Sequence, residues 1–318
     1  MDYIKEQLNY TLEKINLDIG QDNYSGKVRE NYYMEDKIVM VTTDRVSAFD
    51  HILGTIPFKG EVLTQIAKFW FERTRHIAPN HYLSDPDPQV LLTKRAKPLP
   101  IEIIIRGYLT GSLWRDYSKG VNDQYGFKID EGMKKDQKFS EPIITPTTKA
   151  EYGMHDEPIS REEIISELVD KNTYEKAENY AMELFLEGQK WAKERGLILV
   201  DTKYEFGMIN DELHVIDEIH TPDSSRYWMA NEYETRFSEG ENQLMLDKEN
   251  VRQWLIERGF SGEGTPPKLN DEIRILLSKK YMELYKVLVG ENFNPSLGDV
   301  ESRIVNNLEK VILTNRES

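Results

Sequence analysis

Two β-forming runs, "GLILVDTKYEFGMI" and "LHVIDEI", stand only three residues apart between Gly196 and Ile219. Their Val, Ile, Leu, Tyr and Phe content suits buried strand, yet Asp201, Glu205, Asp217 and Glu218 lie within or beside them, with Lys203 alone close in sequence to balance the charge. A hairpin of this kind constrains the fold: its apolar side must be covered, and its acids must meet a cation or water. A three-residue loop from Asn210 to Glu212 puts Glu205 opposite Asp217 across the two strands. Magnesium suits such a pair, because it takes one or two carboxylates and completes its shell with water and phosphate. Alternatively, one carboxylate points to solvent and Lys203 neutralises the other.

The pattern around this hairpin argues for an α+β fold rather than a doubly wound sheet. "KVRENYYMED" and "KIVMVTTD" read as two strands turning at Glu35 and Asp36, and "PIEIIIRGYL" as a strand from Pro100 to about Leu109. Between them, Val62, Ile66, Phe69 and Trp70 form the apolar face of a helix over 60–76, and "SDPDPQV" reads as a turn-rich break. Residues 119–142 read as a surface excursion. Helices follow: Ser160 with Glu163 is a capping box, and Ala177, Ala181, Leu184, Phe185 and Gly188 recur at helical spacing toward Trp191, with Gly196 as the stop. From about Phe237 the tail is mainly helical. The expected organisation is a β-rich lobe over 1–104, a central lobe over 105–236 and a helical region over 237–318.

Composition then excludes several classes. A chain of 318 residues, 39% hydrophobic, can bury a core, and its apolar runs fall far short of the roughly 20 residues a membrane helix needs. The start, "MDYIKEQLNY", lacks a basic and then apolar signal region, so the expected location is the cytoplasm. With no cysteine, disulfides, thiol nucleophiles and cysteine-ligated zinc are out of reach. A formal charge of −15 disfavours nucleic acid and makes any phosphate site a local exception.

Several segments offer that exception. "YSGKVRENYY" sets Gly26 before a strand on which Lys27 and Arg29 flank Val28, so a bending backbone and two cations could cover a polyphosphate; an ordinary turn before a half-exposed strand has the same pattern. In "RGYLTGSLWRDY" a strand carrying Arg106 runs into Gly111 and Ser112, and "PDSSRYW" repeats that chemistry with Ser224, Ser225 and Arg226; both also read as plain helix caps. "TKAEYGMHDEPIS" adds Lys149, His155 and Asp156 in a polar loop, where a His beside an Asp serves equally as a surface hydrogen-bonded pair.

Taken in order from Gly26 to Trp228, "GKVRE", "TTDRVSAFD", "PFKGEVL", "LPIEIIIRGYLTGS", "TPTTKAEYGMHD", "LVDTKYEFG" and "DEIHTPDSSRYW" resemble the phosphoribosylaminoimidazole-succinocarboxamide synthase (SAICAR synthetase) family. The resemblance implies that family's fold, distantly similar to protein kinases and ATP-grasp ligases, with ATP held between a β-rich N-terminal lobe and a mixed or helical C-terminal lobe. It implies a ligase that spends ATP to join L-aspartate to the carboxylate of 5-amino-1-(5-phosphoribosyl)imidazole-4-carboxylate (CAIR), giving SAICAR, ADP and phosphate in purine biosynthesis. By motif, Gly26, Lys27, Val28 and Arg29 belong to the phosphate-covering loop, and Glu102, Lys149 and Lys203 to the nucleotide site. Glu205 and Asp217 fall on the Mg²⁺ carboxylates, and Arg106, Gly111, Ser112, Ser225 and Arg226 on segments that hold CAIR. Lys203, Asp156 and His155 are the candidate catalytic groups, the last two for handling the aspartate amine. Glu30 stands where Asp is commoner in the family, and the excursion and extended tail resemble the longer single-function form. Two rivals share these features: a small-molecule kinase on the same scaffold, and a nucleotide-binding protein without turnover.

Overall fold

The computed structural model describes residues 2–48, 51–149, 156–245, 254–260 and 264–316. The chain packs as two compact units, one of residues 1–72, 81–95 and 246–318, the other of 73–80 and 96–245.

The first unit is built on five antiparallel strands, β1 (Asp22–Ser25), β2 (Arg29–Tyr33), β3 (Lys37–Thr42), β6 (Tyr82–Asp87) and β7 (Val90–Lys94), in the order β1-β2-β3-β7-β6, beside a separate hairpin of β4 (Arg45–Ala48) and β5 (His51–Thr55). β2 and β3 turn where the sequence predicts, with Tyr33 opposite Ile38. The segment "SDPDPQV" departs from its expectation: residues up to Asp87 are strand, and only Pro88 and Gln89 form the turn before β7. Val39, Val41 and Val90 on the sheet meet Leu12 and Ile15 from the N-terminal segment, and Val300, Ile304 and Leu308 from the C-terminal helix Val300–Arg316. Those last three repeat every four residues, so one stripe of the helix lies on the sheet. A polar clamp fixes its position: Arg303 grips both oxygens of the buried Asp87, from Nε at 3.0 Å and Nη2 at 3.1 Å, and Asn307 adds a third bond at 2.8 Å. Helix Lys59–Arg73 has Gly60 at its second position, where a Cβ would fall 2.3 Å from the Thr42 carbonyl oxygen, so only glycine fits.

The second unit has one antiparallel sheet centred on β8 (Lys97–Tyr108) and β11 (Leu197–Ile209). β9 (Lys138–Ile144) and β10 (Thr147–Thr148) pair with β8, while β12 (Glu212–Ile216) and β13 (Ser225–Met229) pair with the C- and N-terminal halves of β11. Helix Lys171–Lys193, capped by Asp170 through the amide of Thr173, buries the Ala177, Ala181, Leu184, Phe185 and Gly188 stripe. Gly188 allows close packing, since a Cβ there would lie 2.4 Å from His220 Cε1. The Ser160–Glu163 capping box is present, although it opens a short turn, Arg161–Glu163, continued as a π-helix over Ile164–Leu168.

Two expectations are corrected in this unit. Residues 119–142 are more than a surface excursion: Tyr125, Ile129 and Phe139 bury against Leu109 and Leu113, and β9 takes its place in the sheet. The β11–β12 loop has two residues, not three. Asn210 and Asp211 both take positive φ, 48° and 60°, as a tight hairpin turn requires, so Glu205 pairs with Ile216 rather than Asp217.

Candidate active site

Strand alternation places Asp201, Lys203 and Glu205 of β11 on one face of the sheet, and the register puts Arg106, Ile104 and Glu102 of β8 opposite them. Charge therefore collects at two ends of one face, four residues or roughly 13 Å apart at ~3.3 Å per residue.

At one end the like-charge pair is Glu205 and Glu102, directly across β11 and β8. Lys203 bridges them, donating from Nζ to Glu102 Oε1 at 2.6 Å and to Glu205 Oε1 at 2.8 Å. Lys149, set in place by β10 and by its amide bond to the Pro100 carbonyl, donates to the other oxygen of Glu205. Burial works against the Lys203 ammonium, but Glu205 and Glu102 outweigh it and hold its pKa well above the ordinary lysine value. Burial likewise opposes ionisation of Glu205, yet Lys203 and Lys149 bring its pKa down to about 2. Glu102 is raised by burial; Lys203 pulls it back, while Glu205 and Asp156 push it higher. Asp217, just past β12 with φ at 66°, is displaced from the cross-strand position but still acts on both lysines electrostatically.

Glu102, Glu205 and Asp217, with Asp156 close to Glu102, face two ammonium groups here, so carboxylates outnumber cations in the cluster. Its donors are hard carboxylate oxygens, which fits Mg²⁺, an ion that needs few protein ligands. A closed all-protein cage is a different matter: among the described residues no three His, Asp or Glu are grouped to hold a metal.

At the other end Asp201 stands between Arg106 and Arg226, its partners on β8 and β13. Its Oδ2 lies 3.3 Å from Arg226 Nη1 and 3.8 Å from Arg106 Nη1. Asp201 touches both guanidiniums and Asp136 acts on Arg226 electrostatically, yet two arginine forks on one face still offer donors to an anion. Arg106 is buried, which lowers its pKa, and is steadied by Thr145 Oγ1 at 2.8 Å and Ser112 Oγ at 3.3 Å. Gly111, at φ 61°, backs onto Arg226, and a Cβ there would lie 2.6 Å from both Nη1 and Nη2. Ser225 is not on this face: it is buried one residue before Arg226, with its hydroxyl 2.6 Å from Thr202 Oγ1.

Gly26, Lys27 and Val28 form the β1–β2 connection in the first unit and Arg29 opens β2, the turn being closed by the Gly26 amide to the Arg29 carbonyl at 2.8 Å. Asp156 is exposed and near enough to Glu102 to affect its ionisation. His155 lies outside the described residues. Residues that the motifs did not single out also belong to the arginine end: Asp201 itself, Thr145, and Tyr125, which acts on Arg106 electrostatically. Asp201 was visible as an acid in a strand; Tyr125 carried no signal in its Gly- and Lys-rich surroundings.

The α+β fold and its charged sheet face, together with the likenesses below, define an enzyme of the ATP-dependent carbon–nitrogen ligase class. The chain belongs to the SAICAR synthetase family, whose sequence profile matches residues 22–268. It is 48% identical over 295 residues to the phosphoribosylaminoimidazole-succinocarboxamide synthase of Bacteroides fragilis, covering 91% of this chain and 93% of the relative. The corresponding synthase of Legionella pneumophila (strain Paris) is 41% identical over 313 residues, 95% of this chain and 98% of that one. Among solved structures, the SAICAR synthase from Saccharomyces cerevisiae complexed with SAICAR superposes with a TM-score of 0.78 at 33% identity, covering 89% of this chain and all of that one. The reaction is the family's ATP-dependent ligation in purine biosynthesis. No helix among the described residues is long and apolar enough to cross a membrane.

Proposed function

We propose that the substrates are CAIR, L-aspartate and ATP, and that CAIR binds with its ribose phosphate at the Arg106–Arg226 end while the nucleotide phosphates meet Lys149 and Lys203. The observation that carries this reading is the shared face of β8 and β11, which sets an arginine pair and a lysine–carboxylate cluster roughly 13 Å apart. A phosphorylated substrate anchored at one end would direct its far end toward the other.

In the first step a carboxylate oxygen of CAIR attacks the γ-phosphorus, the bond to the β,γ-bridging oxygen breaks, and ADP leaves an acyl phosphate behind. Lys203 and Lys149 hold fixed positive charge where negative charge moves onto the bridge; their raised pKa values keep them protonated at neutral pH. Glu205 and Asp217 would hold Mg²⁺, which when bound offsets phosphate charge. The neutral amine of aspartate then attacks the acyl carbon, phosphate departs, and the amine loses a proton. Asp156, exposed near Glu102, and His155 are the candidates to take that proton. Lys27 and Arg29, in the first unit, are assigned to the ATP phosphates by motif.

The test is an ADP-release assay with Mg²⁺, CAIR and aspartate omitted in turn. ADP release should require CAIR, and sustained turnover should require all three. Turnover indifferent to aspartate would favour a kinase, and ATP binding with no turnover a non-catalytic protein.

A further inference from the structure

The motif "TTDRVSAFD" has no role in the assignments above, yet its Arg45 makes more hydrogen bonds than any surface-strand arginine needs. Its side chain is buried, and two of its three nitrogens serve one neighbouring loop. Nε donates to the carbonyl of Lys27 at 3.0 Å, and Nη2 to those of Gly26 at 2.9 Å and Arg29 at 3.4 Å. Nη1 donates to the Glu13 carbonyl at 2.7 Å and to Glu30 Oε1 at 2.5 Å. The remaining carbonyl, that of Val28, accepts from Thr43 through its amide at 2.9 Å and its hydroxyl at 2.8 Å. Four successive carbonyls, Gly26 to Arg29, therefore end on Thr43 or Arg45.

A trans peptide points its N–H opposite to its C=O. Drawing the carbonyls of Gly26 and Lys27 onto Arg45 thus turns the amides of Lys27 and Val28 to the other side of the loop, as in the backbone concavities that accept anions. We propose that Arg45 is a positioning residue for the nucleotide, whose guanidinium holds the Gly26–Arg29 backbone in a shape that presents those amides and the Lys27 side chain to a polyphosphate. This rests on the assignment of the loop to the ATP phosphates. Glu30 holds the guanidinium in turn, and Ser25 Oγ braces the same carboxylate oxygen at 3.0 Å. A lysine at position 45 would keep the charge beside Glu30, but its single nitrogen cannot serve carbonyls spread over four residues.

The test measures KM for ATP, CAIR and aspartate separately in Arg45→Lys, with Lys27→Met as reference and thermal melting as the check on folding. Arg45→Lys should raise the ATP KM by about tenfold and leave the other two within about twofold. If that variant does not fold, Glu30→Gln, which keeps the carbonyl bonds but loses the charge that orients Arg45, should raise the ATP KM by about threefold. A wild-type ATP KM in Arg45→Lys, or in Glu30→Gln where it is the substitute, while Lys27→Met raises it, overturns the proposal. So do equal rises for all three substrates, which would mark a general structural role. An unchanged ATP KM in Lys27→Met overturns the loop assignment instead.

Discussion

Gly111→Ala is the most direct probe of the arginine end, because its consequence follows from two features of the structure. The backbone there has φ at 61°, where alanine costs about 1 to 2 kcal/mol, so a modest fall in melting temperature is expected. The new Cβ would lie 2.6 Å from Arg226 Nη1 and Nη2, whereas ordinary carbon contacts need about 3.5 to 4.0 Å. The guanidinium is the mobile partner and must withdraw by roughly 1 Å. That loosens its 3.3 Å contact with Asp201 and misaligns its donors toward a bound phosphate. Loss of one charge-assisted hydrogen bond is worth about 1.5 to 3 kcal/mol, so CAIR should bind roughly 10- to 150-fold more weakly, with Mg-ATP affinity unchanged. A double-mutant cycle isolates the cause: in an Arg226→Ala background no guanidinium remains to displace, and Gly111→Ala should change CAIR affinity by less than about 0.5 kcal/mol. Calorimetric titration of the four proteins reads the coupling. Additive losses, or undiminished CAIR binding in Gly111→Ala, would refute the placement of the phosphate at Arg226.

Glu205→Gln should abolish most turnover and also cost about 1 to 3 kcal/mol of stability, since it removes the main counter-charge of two lysines; their partial exposure keeps this below the full cost of a broken buried pair. Urea unfolding at neutral pH checks it, and the penalty should fade as pH drops from 4.5 toward 2, where the wild-type carboxylate is itself protonated. Asp217→Asn should cut turnover with a smaller loss of stability. His220 is buried against Gly188 and hydrogen-bonded to Tyr204, and burial lowers its pKa to about 3. The unfolded chain then binds a proton near pH 6.5 that the folded chain refuses, so between about pH 6 and 4 this group removes about 1.4 kcal/mol of stability per pH unit as pH falls. His220→Asn should shallow that slope by about one proton; an unaltered slope would place the titration elsewhere.

What the sequence revealed and what it concealed follow from range. The stripe from Ala177 to Gly188, the Ser160–Glu163 box and the run into Arg106 are local patterns, and each has the structure its spacing implies. The hairpin register failed by one residue because Asn210-Asp211 carries no glycine, although both residues take the positive φ of a two-residue turn. The true partner of Glu205 is Glu102, on a strand far away in sequence, a pairing that no hairpin rule could supply. Lys149 was named from its motif, but its contact with Glu205 depends on β10 pairing with β8. Arg45 reads as an ordinary polar residue in a short strand, and its hold on the Gly26 loop appears only when β4 is placed beside β2 and the N-terminal segment.

The Asp87–Arg303 clamp and the Val300–Ile304–Leu308 stripe also bear on how the chain is made. Gln7 exchanges two hydrogen bonds with Gly298, so the beginning and near-end of the sequence are tied together inside one unit. Synthesis is vectorial: β1 to β7 leave the ribosome early, but the Val300–Arg316 helix that packs on their apolar side emerges only after all of residues 96–245. Until then only Leu12 and Ile15 of the N-terminal segment are at hand to cover Val39, Val41 and Val90. Contacts that span nearly the whole chain make closure of this unit slow and prone to sticking. A few residues lost from the Val300–Arg316 helix would therefore reduce the yield of folded protein more than the activity of each molecule that does fold.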